Sequence, residues 1–257
     1  MRGIAFAPAA TAARGAAYAA STCRAVGEVS CSPRSFDGFP LWALEADLAP
    51  ASQLTWDEDH GEEALFAVSG TLEVDGRRCP PRGAVIVEAG VAASVSAPDG
   101  ARVVHVGAHD KTPPADGRYG PPEPTGHGVH VIGPGGTWAA VEPGRETRIY
   151  ADSTCRTCRI TLFLTGRSNL YIAAPHRHST DEILFVLEGD VHFGAYRLGP
   201  GDAVAVAAGQ RYGFRSGPQG FAFLNYRRDV SEQTVGSQAP KLEGGAARGL
   251  TPVGDLR

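Results

Sequence analysis

The clearest patterning in the chain is the run Glu182-Ile-Leu-Phe-Val-Leu-Glu-Gly189, where apolar residues of strand-forming type lie between a glutamate and a glycine. Successive residues of an extended strand point to opposite sides, so Ile183 to Leu187 predict a strand that ends in a turn at Gly189. By the same alternation Leu184 and Val186 share the side of Glu182. A second apolar run, Ala203 to Val206, follows Pro200-Gly201-Asp202 and precedes Gly209, and Cys158 to Thr165 predicts a further strand. Upstream, Glu63-Ala-Leu-Phe-Ala-Val-Ser-Gly70 repeats the first run at an offset of 119 residues, with Gly90 opposite Gly209. Self-similarity of this kind predicts a duplicated unit. Between the copies, Lys111 to Gly126 contains Pro113-Pro114 and Pro121-Pro122. These residues cannot sit in a central strand and predict a connection.

The chemistry gathers at the start of the second copy. In His176-Arg-His178 both imidazoles share one face of a strand while Arg177 points away, and Glu182 opens the next strand after a short link. Two imidazole nitrogens and a carboxylate make a donor set for a divalent first-row metal, with coordination positions left open. At these residues the chain resembles the cupin superfamily, whose first motif runs His-x-His, three or four residues, Glu, six residues, Gly. It is matched at His176, His178, Glu182 and Gly189. The second cupin motif has a Pro-Gly turn, a short strand, another glycine and, three residues later, a fourth ligand that is usually histidine. Here Pro200-Gly201-Asp202, Ala203 to Val206 and Gly209 match, but Tyr212 stands where histidine is expected.

This resemblance covers roughly residues 146 to 228. With the internal repeat it implies an all-β fold of two tandem cupin (jelly-roll) barrels, a bicupin. The expected layout is an N-terminal arm over 1–30, a first barrel over 31–110, a linker over 111–129, a second barrel carrying the metal site over 130–230, and an extension over 231–257. In the repeat frame Asp57 and Asp59 stand opposite His176 and His178, and Ala93 stands opposite Tyr212. The first copy therefore reads as a structural partner, with Asp57-Glu-Asp59 a solvated turn and His60 a surface residue. His105 and His109 have no carboxylate partner in register. His127 and His130 read as loop and strand-edge residues, and His192 as a polar position or a contact to Glu182. Cys155-Arg-Thr-Cys158 is the only close pair among five cysteines. One such pair is a weak signal for zinc or for redox chemistry. A structural role is expected, with a thiol near the metal as the alternative.

Tyr212 leaves three arrangements open, because a phenol is mostly neutral near pH 7. It is a hydrogen-bond donor or acid beside a three-ligand site, it is a tyrosinate ligand, or there is no metal. By resemblance, cupins include iron, nickel and manganese enzymes that oxidise or cleave small molecules, together with isomerases, decarboxylases and lyases that use the metal as a Lewis acid. Fold alone does not choose among them. The leading expectation is a non-heme Fe(II) dioxygenase acting on a small carbonyl, enol or phenolic compound, with Zn, Mn or Ni as alternative metals. Glu182 and Tyr212 are its candidate acid–base groups. Its pocket is expected to be mostly apolar, lined by Leu184, Val186 and Phe223 near Phe214 and Phe221, with Arg159 offered to a substrate carboxylate. A non-redox isomerase, cyclase or lyase and a ligand-binding protein without turnover are the alternatives.

A formal net charge of −4 with no basic stripe argues against a nucleic-acid surface. No apolar run approaches the length of a membrane span, and Arg14 interrupts the Ala-rich start. Gly 33 and Pro 19 suit short strands and tight turns. The odd cysteine count predicts a reducing, cytoplasmic setting. The first thirty residues and the tail from Ser231 are expected to be loosely ordered and exposed, and the protein to be a monomer or a homodimer.

Overall fold

The computed structural model describes residues 3–9, 18, 23–111, 128–155, 157–244 and 251–252. Nearly all of the Pro-rich connection, and His127 with it, lies outside them. The regular structure of the described residues is almost all antiparallel strand, with a 3-10 turn at Pro134–Gly136. No helix among the described residues is long and apolar enough to cross a membrane.

The chain has the duplicated all-β architecture that the repeat predicts. In the first unit a six-stranded sheet centred on Glu63–Gly70 and Ala101–Ala108 faces a five-stranded sheet containing Ser52–Trp56 and Ala93–Ala97. In the second, Glu182–Phe193 and Arg215–Arg227 occupy the middle of a nine-stranded sheet, and a small sheet begins with His176–His178. Gly70 and Gly189 close equivalent turns at φ +77° and +67°. A Cβ would lie 2.3 Å from the Gly100 carbonyl oxygen in one and 2.2 Å from that of Gly220 in the other, so both positions require glycine.

Alternation sorts the apolar residues into three cores. Leu44, Leu54, Leu65, Trp42 and Trp56 fill the first barrel, while Leu184, Val186, Phe221, Phe223 and Tyr212 pack inside the second. The opposite faces of the same strands, with Phe66, Ile86 and Val106 from one unit and Ile183, Phe185 and Leu224 from the other, form a single core between the barrels. Burying both faces of the central strands explains why they read as nearly continuous apolar runs.

Two edge strands cross between the units. Ile4–Ala7 pairs with Ala203–Val206 of the second barrel, so this part of the N-terminal arm is ordered strand and not a loose leader. Val129–Ile132 pairs with Ala84–Val87 of the first barrel, which places the start of the expected second domain in the first one's sheet. Each crossing strand covers an edge that would otherwise be open to pairing. The C-terminal extension is also built in. Glu232–Val235 pairs with His176–His178, Lys241–Leu242 continues that sheet, and Thr251–Pro252 pairs with Trp138 and Ala139.

Candidate active site

The strand His176–His178 turns both imidazoles inward, as the His-x-His spacing requires, and leaves Arg177 exposed. His176 Nδ1 lies 2.7 Å from the Ala174 carbonyl oxygen, and His178 Nδ1 lies 2.6 Å from Glu243 Oε2. Both acceptors call for a proton on Nδ1. That fixes the tautomer whose Nε2 lone pair faces the interior, the orientation in which histidine binds metals. Burial pushes the His176 imidazole below its usual pKa, which keeps it neutral.

Glu182 is fully buried at the start of its strand. The Tyr212 hydroxyl donates to its Oε1 at 2.5 Å. Asn225 Nδ2 donates to Oε2 at 2.8 Å, and Arg227 donates to the same oxygen from Nε at 3.2 Å and from a terminal nitrogen at 2.9 Å. Burial alone raises the carboxyl's pKa, but His178, Arg227 and these donors outweigh it and hold the group ionised below its ordinary value. Burial, then the Glu182 charge, drives the Tyr212 phenol far above its usual pKa. In this arrangement Tyr212 is a neutral donor to Glu182.

Arg227 is the residue that sequence reasoning missed, together with Glu243. The guanidinium is 1 % exposed. Besides Glu182 it donates to Glu243, and another of its N–H groups points at His178 Nε2 from 3.3 Å. Burial would favour loss of its proton, but the two carboxylates overcome this and raise its pKa. The site therefore contains an internal cation beside the expected ligands. His178 Nε2 is 3.7 Å from Glu182 Oε1, and His176 stands further off. Among the described residues, His176, His178 and Glu182 do not form a group whose donor atoms all lie within 4.8 Å of one another. The histidines fit a divalent ion in tautomer and direction. Glu182 turns Oε1, the oxygen that Tyr212 holds, towards His178, while Asn225 and Arg227 hold Oε2.

His176, His178, Tyr212, Asn225 and Arg227 form the floor of a cavity of about 300 Å³. Leu184, Phe223, Phe214 and Phe221 line it as expected, but Val186 and Arg159 do not. Arg159 is buried elsewhere, its main-chain N–H donating to the Glu62 carboxylate at 2.8 and 2.9 Å, because its strand begins only at Thr161. The charged wall comes instead from Arg145 and Arg167 on neighbouring strands, with Arg227 beneath them. The pocket is thus cationic, not mostly apolar with a single charged contact. Arg145 is exposed and Arg167 half-buried, so the two stand at the open end.

In the first barrel the equivalent positions are filled. Trp56, not Asp57, occupies the place of His176: it pairs with Ala93 as His176 bridges Tyr212, one residue out of step with the sequence frame. Its indole N–H donates to Glu63 Oε2 at 2.8 Å. His105 Nε2 is 2.8 Å from the same oxygen, so His105 does have a carboxylate neighbour, and its Nδ1 meets the Tyr18 hydroxyl at 2.7 Å. Asp57 and Asp59 are exposed and face Arg24 and Lys111, as a solvated turn should. His60 is buried, not superficial, with its ring nitrogens 2.6 and 2.8 Å from the carbonyl oxygens of Gly61 and Val91. His192 meets Asp190 and not Glu182. Cys155 and Cys158 line a different cavity from the one above His176.

Comparison with solved structures decides the fold. Over 91 % of this chain and 80 % of the other, the structure superimposes on oxalate decarboxylase of Bacillus subtilis with a TM-score of 0.65 at 13 % identity. The fold is that of a bicupin. Lactobacillus farciminis oxalate decarboxylase matches over 90 % of this chain and 88 % of its own, with a TM-score of 0.65 at 12 % identity. A putative glyoxylate-induced protein of Pseudomonas aeruginosa matches over 88 % of both chains, with a TM-score of 0.65 at 17 % identity. No family model matches the sequence, and no curated protein matches it by sequence. At these identities the bicupin likeness concerns architecture, and the chemistry rests on the residues themselves.

Proposed function

We propose that the second barrel of this bicupin is a metal-dependent active site for a small carboxylate, with His176, His178 and Glu182 holding one divalent transition metal. The observation that carries this reading is the cavity floor: two imidazoles with Nδ1 committed and Nε2 directed inward, under a wall of three arginines. When bound, the metal supplies a Lewis acid that polarises a carboxylate or carbonyl oxygen. Arg145 and Arg167 draw in and orient the anion, and Phe214, Phe221 and Phe223 keep the floor dry. Tyr212 holds a proton on its hydroxyl against Glu182. It lines the cavity, so it is the group placed to give that proton to a substrate atom and to receive one back from substrate or water at the end of the cycle.

An arginine-walled pocket of this size favours the non-redox lyase or isomerase reading over a dioxygenase. The architectural likeness to oxalate decarboxylases, with Mn(II) centres in the Bacillus subtilis protein, supports the same choice. Manganese then replaces iron as the first metal to try. The aromatic wall is what favours the second reading, an Fe(II) dioxygenase acting on an enol or phenol.

The test begins with elemental analysis of tag-free protein beside a His176→Ala, His178→Ala variant. It continues with a panel of small mono- and dicarboxylates offered to Mn(II)-, Zn(II)- and Fe(II)-loaded protein, with and without oxygen. Expected is metal lost in the variant and anaerobic turnover in the Mn(II) or Zn(II) form. Turnover that demands both Fe(II) and oxygen selects the dioxygenase, and tight binding without product selects a ligand-binding protein. Metal content unchanged by the double substitution removes the site assignment. Sedimentation of the same samples decides between the expected monomer and a homodimer.

A further inference from the structure

We infer that His130, Cys155, Cys158 and Glu88 form a second metal site, a structural zinc site that ties the two barrels together. The donor atoms of His130, Cys155 and Cys158 all lie within 4.8 Å of one another, the only such trio among the described residues. Cys155 Sγ is 3.9 Å from His130 Nε2, against a separation of about 3.6 Å expected for a thiolate and an imidazole sharing a tetrahedral zinc. Glu88 Oε1 lies 2.5 Å from the same His130 nitrogen. In the metal-free arrangement this is a hydrogen bond; Glu88 stands outside the trio and becomes the fourth ligand by opening that bond and moving towards the sulfurs. Two sulfurs, one imidazole and one carboxylate make a closed set of four with the softness that suits Zn(II) better than the oxygen-seeking ions.

The ligands come from three segments of the chain. His130 lies on the strand Val129–Ile132, which crosses into the first barrel's sheet. Glu88 follows the strand it pairs with, and the cysteines lie in the loop between Arg145–Ala151 and Thr161–Arg167 of the second barrel. Cys155 and Glu88 are held in place by neighbouring donors. The Cys158 main-chain N–H donates to Cys155 Sγ at 3.1 Å, Gly128 N–H donates to Glu88 Oε2 at 3.0 Å, and Thr157 donates to Oε1. Asp152 folds the loop by accepting from Thr154 N–H at 2.9 Å. Such outer contacts orient donors around an ion.

The electrostatics agree. The Cys158 contact, then His130, lowers the Cys155 thiol to about 4, and Cys155, then Glu88, raises His130 to about 10. Glu62 is nearby, its carboxyl pushed up to about 8 by burial.

The experiment uses full-length, tag-free protein. One equivalent of zinc is expected to survive His176→Ala, His178→Ala and to be lost in Cys155→Ser, Cys158→Ser, so this site and the catalytic one fail or stand separately. Cobalt(II) exchanged into the protein should give an intense near-ultraviolet sulfur-to-metal charge-transfer band, absent from the serine variant and kept in the alanine variant. Because the serine variant can fail to fold, wild-type protein is also alkylated before and after chelation. Cys155 and Cys158 should react only in the chelated sample, with protection restored by added zinc. Zinc retained by a folded serine variant, a cobalt spectrum without the sulfur band, or thiols equally reactive with and without chelator each overturn the assignment. So does isolation of the pair as a disulfide.

Discussion

The two barrels carry the same glutamate at the same point of the same strand and surround it with opposite solutions. In the first, Glu63 meets the indole of Trp56 and the ring of His105. Two residues beyond His105 on the same strand, Gly107 leaves room for Trp42, whose ring would sit 2.4 Å from any Cβ there. In the second, the matching positions are His176, Asn225 and Arg227 around Glu182, under an open cavity. Aromatic side chains fill one interior and close around its carboxylate, while the other gives the same volume to arginine and to empty space. A duplicated barrel can thus divide its labour, one copy becoming a packed scaffold and the other keeping a polar floor.

Arg227 is where the comparison breaks most severely. Replacing it with Met leaves Glu182 and Glu243 buried at 0 and 3 % side-chain exposure without their counter-charge, and removal of one partner of a buried ion pair costs about 3–5 kcal/mol. Urea unfolding of metal-free Arg227→Met should show that loss, and added Mn(II) should recover much of it by replacing the missing charge. An equally large loss that no divalent ion relieves would make Arg227 a permanent internal cation and count against the metal reading.

Glu62 gives the first barrel a pH dependence of its own. Its folded pKa of about 8 stands above the ordinary carboxylate value because burial dominates. The folded state thus holds a proton that the unfolded chain has already released. The contribution is fully present below the unfolded pKa and falls away as pH rises towards 8, by up to about 3 kcal/mol between pH 5 and 8. In chelated protein, Glu62→Gln should remove that downward slope, as read from denaturant midpoints at each pH. A slope unchanged in the variant would assign it to another group.

How much of this was legible in the sequence follows from the range of each interaction. The strands and the Gly189 turn were readable because alternation and a glycine with positive φ are local signals. The His176, His178 and Glu182 group was readable because a two-residue period and a short link fix it. Glu243 lies 65 residues from the histidine it orients, in a tail whose composition resembles an exposed extension, and Arg227 differs from other strand-end arginines only through partners on other strands. The register of the first copy slipped by one because Trp56 carries no ligand chemistry to mark it. Ile4–Ala7 is too short to show a period, and its partner lies in the other barrel. Cys155, His130 and Glu88 were each visible, but only the crossing strand brings them together.

The hydrogen bonds to the two glutamates offer a milder comparison. Trp56→Phe removes the one N–H that donates to Glu63 from the position of His176, and a buried carboxylate deprived of a donor costs about 1–3 kcal/mol. Tyr212→Phe removes a donor from Glu182 but leaves Asn225 and Arg227 in place, so the expected cost is about 1 kcal/mol. Metal content should be retained there while turnover falls. Loss of metal in Tyr212→Phe would instead make the phenol part of the ligand set.

The smallest effect is expected where the two units meet at the surface. Arg82, in a turn of the first barrel, donates to Glu146 of the second at 2.5 Å and faces Glu188 at 3.4 Å. Its side chain is 36 % exposed, so water screens both pairs and the side chain gives up freedom to hold them. Exposed ion pairs contribute about 0–1 kcal/mol. The main-chain contact beside it, in which the Tyr150 hydroxyl donates to the Arg82 carbonyl oxygen at 2.5 Å, does not depend on the side chain. Arg82→Ala should therefore shift the urea midpoint only slightly, and the shift should vanish at high salt. The buried core between the barrels, with Phe66 and Ile86 against Phe185 and Leu224, predicts that the units still unfold together in that variant. Two separated transitions in Arg82→Ala would show that surface charge, and not the shared core, couples the filled barrel to the open one.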